Sequence, residues 1–275
     1  MSNNTKHQHY IPVFLLKNWC TIDEGRSSKI WSYMIKNKQN NKVSIESICY
    51  QNNLHEGSLP TNLIENNLAT FWEPLWKNLI DKILNHQELT NEELSGTIIM
   101  FSHFLLRSPY FIKNLSKELN ITKETYLVNS LALVTKNGNV DKEYNKILLN
   151  FSQHLLNTFK YVYFGYTTKF FVINDLMPIT ICNCRNPKDD NWLNQDLYFP
   201  ISNNICLIIT NKIFDSNNNY ILLENDYVNW INEQFINMKE IRFIYSKDCC
   251  SDYIERHKYG GEQWLKKNLI IYYMI

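Results

Sequence analysis

The clearest pattern of apolar residues lies in the middle of the chain, between positions 61 and 84. Apolar side chains recur there every three or four residues, which is the spacing of an amphipathic helix. Glu65 and Glu73 lie about two helical turns apart in this pattern, so both are predicted to face one side if the helix is continuous. Pro74 follows directly and predicts a kink or a break.

A second helix is expected to begin at a capping box formed by Thr90 and Glu93. It should end near Arg107, because Pro109 keeps the residue before it out of the helical conformation. With two further helical patterns, these segments predict a central helical block over about 61–160. The two further patterns cover roughly 122–135 and 141–160.

Segments rich in β-forming residues lie on both sides of this block. Before it, Ser28–Ile35 and the segment 43–50, joined by a polar turn, predict a hairpin. After it, strand-like segments cover 167–175 and 178–184, and two strands joined by a turn at 200–204 cover 196–212. A helix with a short strand follows over 225–246. A strand from the beginning of the chain is expected to join the sheet formed at its end.

This order of elements predicts an α+β fold. A central helical block should pack with an antiparallel or mixed sheet built from N-terminal and C-terminal strands. We expect a single domain over 1–275, with a flexible leader at 1–6 and a C-terminal β-rich part at about 167–248. His7 is assigned to the leader.

Composition narrows the classes of function. The net charge of +1 provides no global field for nucleic acid or an anionic membrane, although a local basic cleft would still bind nucleic acid. The longest apolar run, 98–106, is about half the length of a membrane span, so a cytoplasmic protein is expected. Seven cysteines without C-x-x-C spacing indicate reduced thiols. The motifs of phosphate loops, nucleophile elbows, dinucleotide sites and zinc proteases are absent from the sequence.

Several separated motifs follow one another in a specific order. They are His9-Tyr10-Ile11-Pro12 with Leu16 and Trp19, Glu65 and Glu73, Arg107-Ser108-Pro109, Ile173-Asn174-Asp175 before Pro178, and Phe199-Pro200-Ile201-Ser202. Together they resemble the bacterial domain-of-unknown-function 4238 family over about residues 7–248. The sequence departs from the family pattern where Asn174 replaces a serine and one extra residue precedes Pro178. The resemblance implies candidate positions without chemical roles.

Three of these positions carry side chains suited to catalysis. His9 is a candidate acid/base group, or alternatively a histidine whose ring bonds a backbone carbonyl. Arg107 can grip a phosphate, or alternatively form a structural ion pair with Glu73 or Asp175. Asp175 ends an apolar strand, where it would orient the histidine or bind metal, or alternatively cap the turn that follows.

Four further residues belong to this prediction. Tyr10 and Asn174 adjoin the candidates and are expected to contact substrate. Glu73 is a candidate ligand for Mg²⁺ or Mn²⁺, although glutamates of this kind are more often solvated or ion-paired. His103 lies one turn before Arg107, where we expect a buried, hydrogen-bonded histidine.

Two classes of function follow from these residues. The first is a phosphoester-acting enzyme, a nuclease, with His9 as acid/base, Arg107 stabilising phosphate charge and Asp175 orienting the histidine or binding metal. The second is a non-enzymatic binding or interaction module, by analogy one of a defence or toxin-type system. Grouping of the three side chains around an open cleft would favour the enzyme, whereas side chains more than about 10 Å apart, or sealed in the core, would rule out this three-residue site.

Overall fold

The structure, a computed structural model, describes residues 7–21, 27–55, 62–131, 145–176, 180–183, 195–216, 218–238 and 241–258. The expected leader at 1–6 lies outside these residues. The helices are α1 Val13–Leu16, α2 Leu63–Asn67, α3 Glu73–Leu84, α4 Asn91–Leu106, α5 Pro109–Glu118, α6 Lys123–Ser130, α7 Lys146–Thr158, α8 Asn225–Ile236 and α9 Ser251–His257. The strands are β1 His7–His9, β2 Lys29–Met34, β3 Gln39–Ser44, β4 Tyr50–Asn52, β5 Tyr161–Tyr166, β6 Ile173–Asn174, β7 Thr180–Asn183, β8 Gln195–Pro200, β9 Ile205–Thr210, β10 Tyr220–Leu222 and β11 Phe243–Ser246. The expected α+β fold is confirmed.

The helical block begins with a continuous helical path through α2 and α3. A five-residue π-helical turn, Leu68–Trp72, joins the two helices, and Pro74 occupies the first turn of α3. Where a kink or a break was predicted, the helix instead continues through one turn of wider winding. A proline is tolerated in a first turn because its missing N–H has little to bond there, and the wider winding precedes it.

The predicted capping box at the start of α4 is confirmed. The Thr90 hydroxyl accepts a hydrogen bond from the backbone of Glu93, whose carboxylate in turn accepts one from the backbone of Thr90. Arg107 is the C-cap residue of this helix. The next helix, α5, was not predicted, although Ser108 caps it and Pro109 is its first residue. The same proline ends one helix and begins the next.

The strands of the described residues form three sheets. Their orders are β1-β4, β10-β5-β9-β8-β7 and β3-β2-β11-β6. The expectation that an N-terminal strand joins C-terminal strands is confirmed, because β2 pairs antiparallel with β11 in the third sheet. The five-stranded sheet is mixed, since β10 runs parallel to β5 while the neighbouring ladder of β5 with β9 is antiparallel.

The strand expected over 167–175 is reduced to the two residues of β6. The backbone N–H of Phe171 donates to the carbonyl of Asn203 at 2.7 Å, and that of Val172 donates to the side chain of Asn232 at 3.0 Å. These donors are bonded to a loop and a helix side chain, so no ladder forms along them.

The five-stranded sheet lies between the helical block and α8. Along β9, Leu207 and Ile209 belong to the hydrophobic cluster shared with the helical block. Cys206 and Ile208 alternate with them and belong to a second cluster, shared with α8. This central strand is therefore buried on both faces.

The structure bears on two predictions from composition, the state of the cysteines and the absence of a membrane span, within the described residues. Among the described residues, the thiols of Cys49, Cys206, Cys249 and Cys250 are free. Across the described ranges, no helix combines the length and apolar character needed to cross a bilayer.

Candidate functional site

The first site residues lie on a two-stranded ribbon. β1 pairs antiparallel with β4, so that His9 lies opposite Tyr50 and His7 opposite Asn52. His7, which was assigned to the leader, is thus part of a strand, and its ring stacks on Tyr50 with 4.3 Å between centroids. The strand pairing and the ring stacking hold the segment in place from its first described residue.

The segment after β1 is anchored to distant parts of the chain. The Asn18 amide donates to the carbonyl of Ile201 at 2.8 Å. The Trp19 indole donates to the carbonyl of Phe171 at 3.1 Å, and its ring is fully buried. His9 therefore begins a segment that is fixed at both ends.

His9 lines an open cleft of about 800 Å³. The other lining residues are His7, Val13, Phe14, Lys17, Asn18, Glu46, Lys77, Ile80 and Asp81. Two lysines and two acidic residues balance in charge, and the exposed ammonium of Lys77 pairs with Asp81 one helical turn away. Arg107 and Asp175 are not part of this lining.

Burial lowers the pKa of His9 below its usual value. A hydrogen bond of the ring to the backbone of Glu46, the kind of bond given as the alternative for His9, opposes this shift. The positive charge of Arg107 adds to the shift, and the carboxylates of Glu65 and Glu73 oppose it. The ring is therefore neutral near pH 7. Its Nε2 atom is buried and has no hydrogen-bond partner among the described residues.

Arg107 lies behind His9, with only 1% of its surface exposed. Its Nη1 donates to Glu73 Oε1 at 3.1 Å, and its Nη2 donates to the backbone carbonyl of His9. The ion pair with Glu73, which was the alternative to a phosphate contact, is thus present. Both terminal nitrogens of the guanidinium are hydrogen-bonded within the protein, while Nε has no partner in the described part of the chain.

A histidine–carboxylate pair lies on the other side of β1. The ring Nδ1 of His55 bonds Glu65 Oε1, and the backbone N–H of His55 donates to the side chain of Gln8 at 2.6 Å. Burial lowers the pKa of His55, so the neutral ring donates through Nδ1. Burial alone would raise the pKa of Glu65, but the bond from His55 and the charge of Arg107 lower it overall.

His103 is fully buried, as expected, and its Nδ1 accepts a hydrogen bond from the Trp76 indole at 3.3 Å. Burial lowers the pKa of His103 well below its usual value, and the charge of Arg107 lowers it further. The ring is a neutral core residue beside the charged cluster.

Asp175 belongs to a different polar group. Its Oδ1 accepts from the backbone N–H groups of Arg242 and Phe243 at 2.9 and 3.0 Å, and its Oδ2 accepts from Arg242 Nε at 2.9 Å. The carboxylate is buried, with three donors, and it fastens the start of β11 to the end of β6. Its electrostatic neighbours are Tyr10, Cys49 and Tyr245.

The two residues expected to contact substrate are also buried. The Tyr10 hydroxyl donates to the backbone carbonyl of Asp175 at 2.8 Å, and burial raises its pKa. The Asn174 amide donates to the carbonyl of Phe235 at 3.0 Å, and its oxygen accepts from the backbone of Leu176. Both side chains join strands and helices to one another.

A family model described as "Protein of unknown function (DUF4238)" matches residues 7–249. The chain belongs to this DUF4238 family. No curated protein and no solved structure matches the chain. The motif resemblance seen in the sequence is therefore confirmed at the level of the family.

In this DUF4238 chain, the motif residues separate into two groups. His9, Arg107, Glu65 and Glu73 come together around β1. Both glutamates therefore face one side of the helical path. Asp175 lies in the second group, with Tyr10 and Asn174 beside it. Tyr10 follows His9 directly, so the two groups meet at consecutive residues.

Sequence reasoning passed over His55 and the charged residues of the cleft. His55 follows β4 without a periodic pattern that would mark it, and Lys77 resembles any solvated lysine of an amphipathic helix. No group of three or more His, Cys, Asp or Glu side chains suited to holding a metal ion occurs within the described ranges. Glu73, the predicted metal ligand, bonds Arg107 instead.

Proposed function

We propose that this DUF4238 protein is a phosphoester-cleaving enzyme, a nuclease, that uses His9 as its acid/base group. Arg107 and Asp175 are sealed in the core, so the three-residue site expected from the sequence is not formed around the cleft. The observation that carries this proposal is the position of His9 at the wall of an open cleft, with Arg107 bonded to its backbone from behind. A neutral imidazole near pH 7 can take a proton from an attacking water or hydroxyl. Its Nε2 carries no hydrogen bond in the described residues, whereas the hydrogen bond of the ring to the backbone of Glu46 would have to break if the ring rotated toward substrate.

The cleft lysines would contact phosphate oxygens. Lys17 and Lys77 line the same cleft as His9, and ammonium groups bind phosphate through charge-assisted hydrogen bonds. The pair of Lys77 with Asp81 is exposed, so its exchange for a phosphate contact costs little. In this proposal the cleft takes the substrate, and Asp175, Tyr10 and Asn174 hold the strands around it.

Cleavage of RNA and DNA by the purified protein tests the proposal, with Mg²⁺, with Mn²⁺ and with chelator. Cleavage is expected to fall at least about 100-fold in His9→Ala, because proton transfer by a positioned side chain contributes about that much. His257→Ala is the control, since this histidine lies in α9, does not line the cleft, and should keep most of the activity. Equal cleavage by wild type and His9→Ala would remove His9 from the mechanism.

A specific observation favours a second function, that of a non-enzymatic binding module. Arg107 and Asp175 are buried and bonded within the protein, as the binding-module hypothesis expects. Wild-type protein that binds nucleic acid without cleaving it under any of the metal conditions would establish this alternative. Lys77→Met would then weaken binding, while His9→Ala would leave it unchanged.

A further inference from the structure

Behind His9 lies a group of charged and polar side chains, which we call the inner cluster; its histidine and arginine are buried and its two glutamates are partly exposed. It consists of His55, Glu65, Glu73 and Arg107. Arg107 enters it from the end of α4, and the two glutamates enter from α2 and α3. The cluster thus joins three elements of the helical block at one place beneath β1.

The inner cluster bonds two successive residues of β1. Arg107 Nη2 donates to the carbonyl of His9, and the backbone of His55 donates to the side chain of Gln8, which is fully buried. These bonds act on the main chain at His9 and on the side chain just before it. The imidazole of His9 is left to line the cleft.

Arg107 is poorly placed to touch a substrate directly. It is 99% buried, its Nη1 is paired with Glu73, and its Nη2 is bonded to His9. A phosphate would have to reach a buried side chain that does not line the cleft. Removing either contact would leave a buried group without its partner, which is costly.

We propose that Arg107, held by Glu73, is a positioning residue that fixes the main chain of His9 and so aims its imidazole into the cleft. The backbone of His55, whose ring is bonded to Glu65, holds the side chain of the preceding residue, Gln8. This inference rests on the proposed function of His9. It assigns Arg107 a role in the geometry of the catalytic group and no role in binding phosphate.

The electrostatic surroundings give this role a signature. The charge of Arg107 lowers the pKa of His9, whereas the charges of Glu65 and Glu73 raise it. Neutralising Arg107 should therefore move the titration of His9 up, and neutralising Glu73 should move it down. Opposite shifts would show that both charges lie close to His9, and the split between kcat and KM then separates positioning from a direct substrate contact.

The experiment compares Arg107→Gln and Glu73→Gln with the wild-type chain. The titration of His9 is followed by NMR of the imidazole Cε1–H signals, with the resonance identified by its loss in His9→Ala. Steady-state cleavage gives kcat, KM and the pH profile for each variant. Arg242→Gln is the matched control, because it removes an arginine that pairs with the other buried carboxylate, Asp175.

A positioning role predicts that kcat falls about 100-fold in Arg107→Gln, since small misplacements of a catalytic group have effects of this size. KM should stay within about twofold, because ground-state binding is not removed. The His9 titration should move up in Arg107→Gln and down in Glu73→Gln. Arg242→Gln should change neither the titration of His9 nor kcat.

A large rise in KM with an unchanged His9 titration would overturn the inference, since it would indicate a direct substrate contact. If Arg107→Gln does not fold, Glu73→Gln decides the question alone, because its side chain is partly exposed and keeps its shape. An unchanged His9 titration in that variant would also overturn the inference. Absence of cleavage by the wild type would remove the proposed function, whereas the NMR shifts would still test the positioning.

Discussion

At the scale of single residues, burial sets the protonation of the histidines around Arg107. His55 and His103 are almost fully buried, and burial lowers the pKa of both. In the unfolded chain a histidine titrates near pH 6.5. Between that pH and the lower folded pKa, the unfolded state binds protons that the folded state does not bind.

Stability is therefore expected to fall as pH drops below about 6.5, and to be independent of these two histidines above that range. His103→Gln should lose stability at neutral pH but show a smaller fall between pH 7.5 and 5.5 than the wild type. Urea unfolding at the two pH values measures the difference. Identical falls for both proteins would show that His103 does not contribute to acid sensitivity.

Asp175 and Arg242 form a pair in which the two partners differ in exposure. The Asp175 side chain is 1% exposed and accepts two backbone N–H groups, whereas the Arg242 side chain is 74% exposed. Asp175→Ala should lower the free energy of unfolding by about 3 kcal/mol, because it leaves buried donors unpaired. Arg242→Met removes only one charged hydrogen bond and should cost about 1.5 kcal/mol. Equal losses, measured by urea unfolding, would contradict this difference.

At the scale of elements, two glycines should respond to alanine in opposite ways. Gly165 lies in β5, where a Cβ would come within 2.5 Å of a Leu223 side-chain carbon and 3.0 Å of one from Ile208. Gly165→Ala should therefore destabilise the protein by about 1–3 kcal/mol. Gly96 lies inside α4, where a Cβ would meet only Leu79 at 3.9 Å.

Gly96→Ala should accordingly stabilise the protein by about 0.5–1 kcal/mol, because alanine has the higher helix propensity. Thermal unfolding of the two variants provides the measurement, and each variant serves as the other's control. A loss of stability in Gly96→Ala would mean that α4 packs more tightly there than its contacts indicate.

The elements that the sequence predicted are those with local signals. The capping box of α4 and the pairing of β8 with β9 around a turn depend on neighbouring residues, and both are present. The helix α5 carried an equally local signal, Ser108 before Pro109, but the proline was taken only as the end of the preceding helix. The shortening of β6 depends on Asn203 and Asn232, which no local pattern connects to it.

At the scale of the whole molecule, the two hydrophobic clusters are linked by a side chain. Trp19 belongs to the cluster of the helical block, and its indole bonds the backbone of Phe171, which belongs to the cluster around α8. Both clusters also share the faces of β9. This sharing leads us to expect that the two clusters unfold as one cooperative unit, as the single domain predicted from the sequence would.

Urea unfolding followed by tryptophan fluorescence and by far-UV circular dichroism should therefore give one coincident transition. Trp19→Phe is expected to lower the midpoint without separating the two signals, because the shared sheet remains. Two resolved transitions in the wild-type chain would indicate that the clusters unfold as separate domains.

For the candidate site too, the residues that local motifs marked were predicted, and those whose role depends on distant contacts were not. Motif order indicated His9, Arg107 and Glu73, and the structure brings these three together. Motif order could not give distances, so it grouped Asp175 with them, although that carboxylate fastens β11. His55 had no signal at all, because its role comes from tertiary contacts with Gln8 and Glu65.

The anchoring of the N-terminal segment has a consequence for synthesis on the ribosome. Residues near the start of the chain find their partners far along it: Tyr10 with Asp175, Asn18 with Ile201, and β2 with β11. At roughly 5–20 residues per second, the segment emerges on the order of 10 to 50 seconds before β11 is made. Throughout that interval, its apolar side chains have no native partner from β11, and the fold closes only as synthesis passes Ser246.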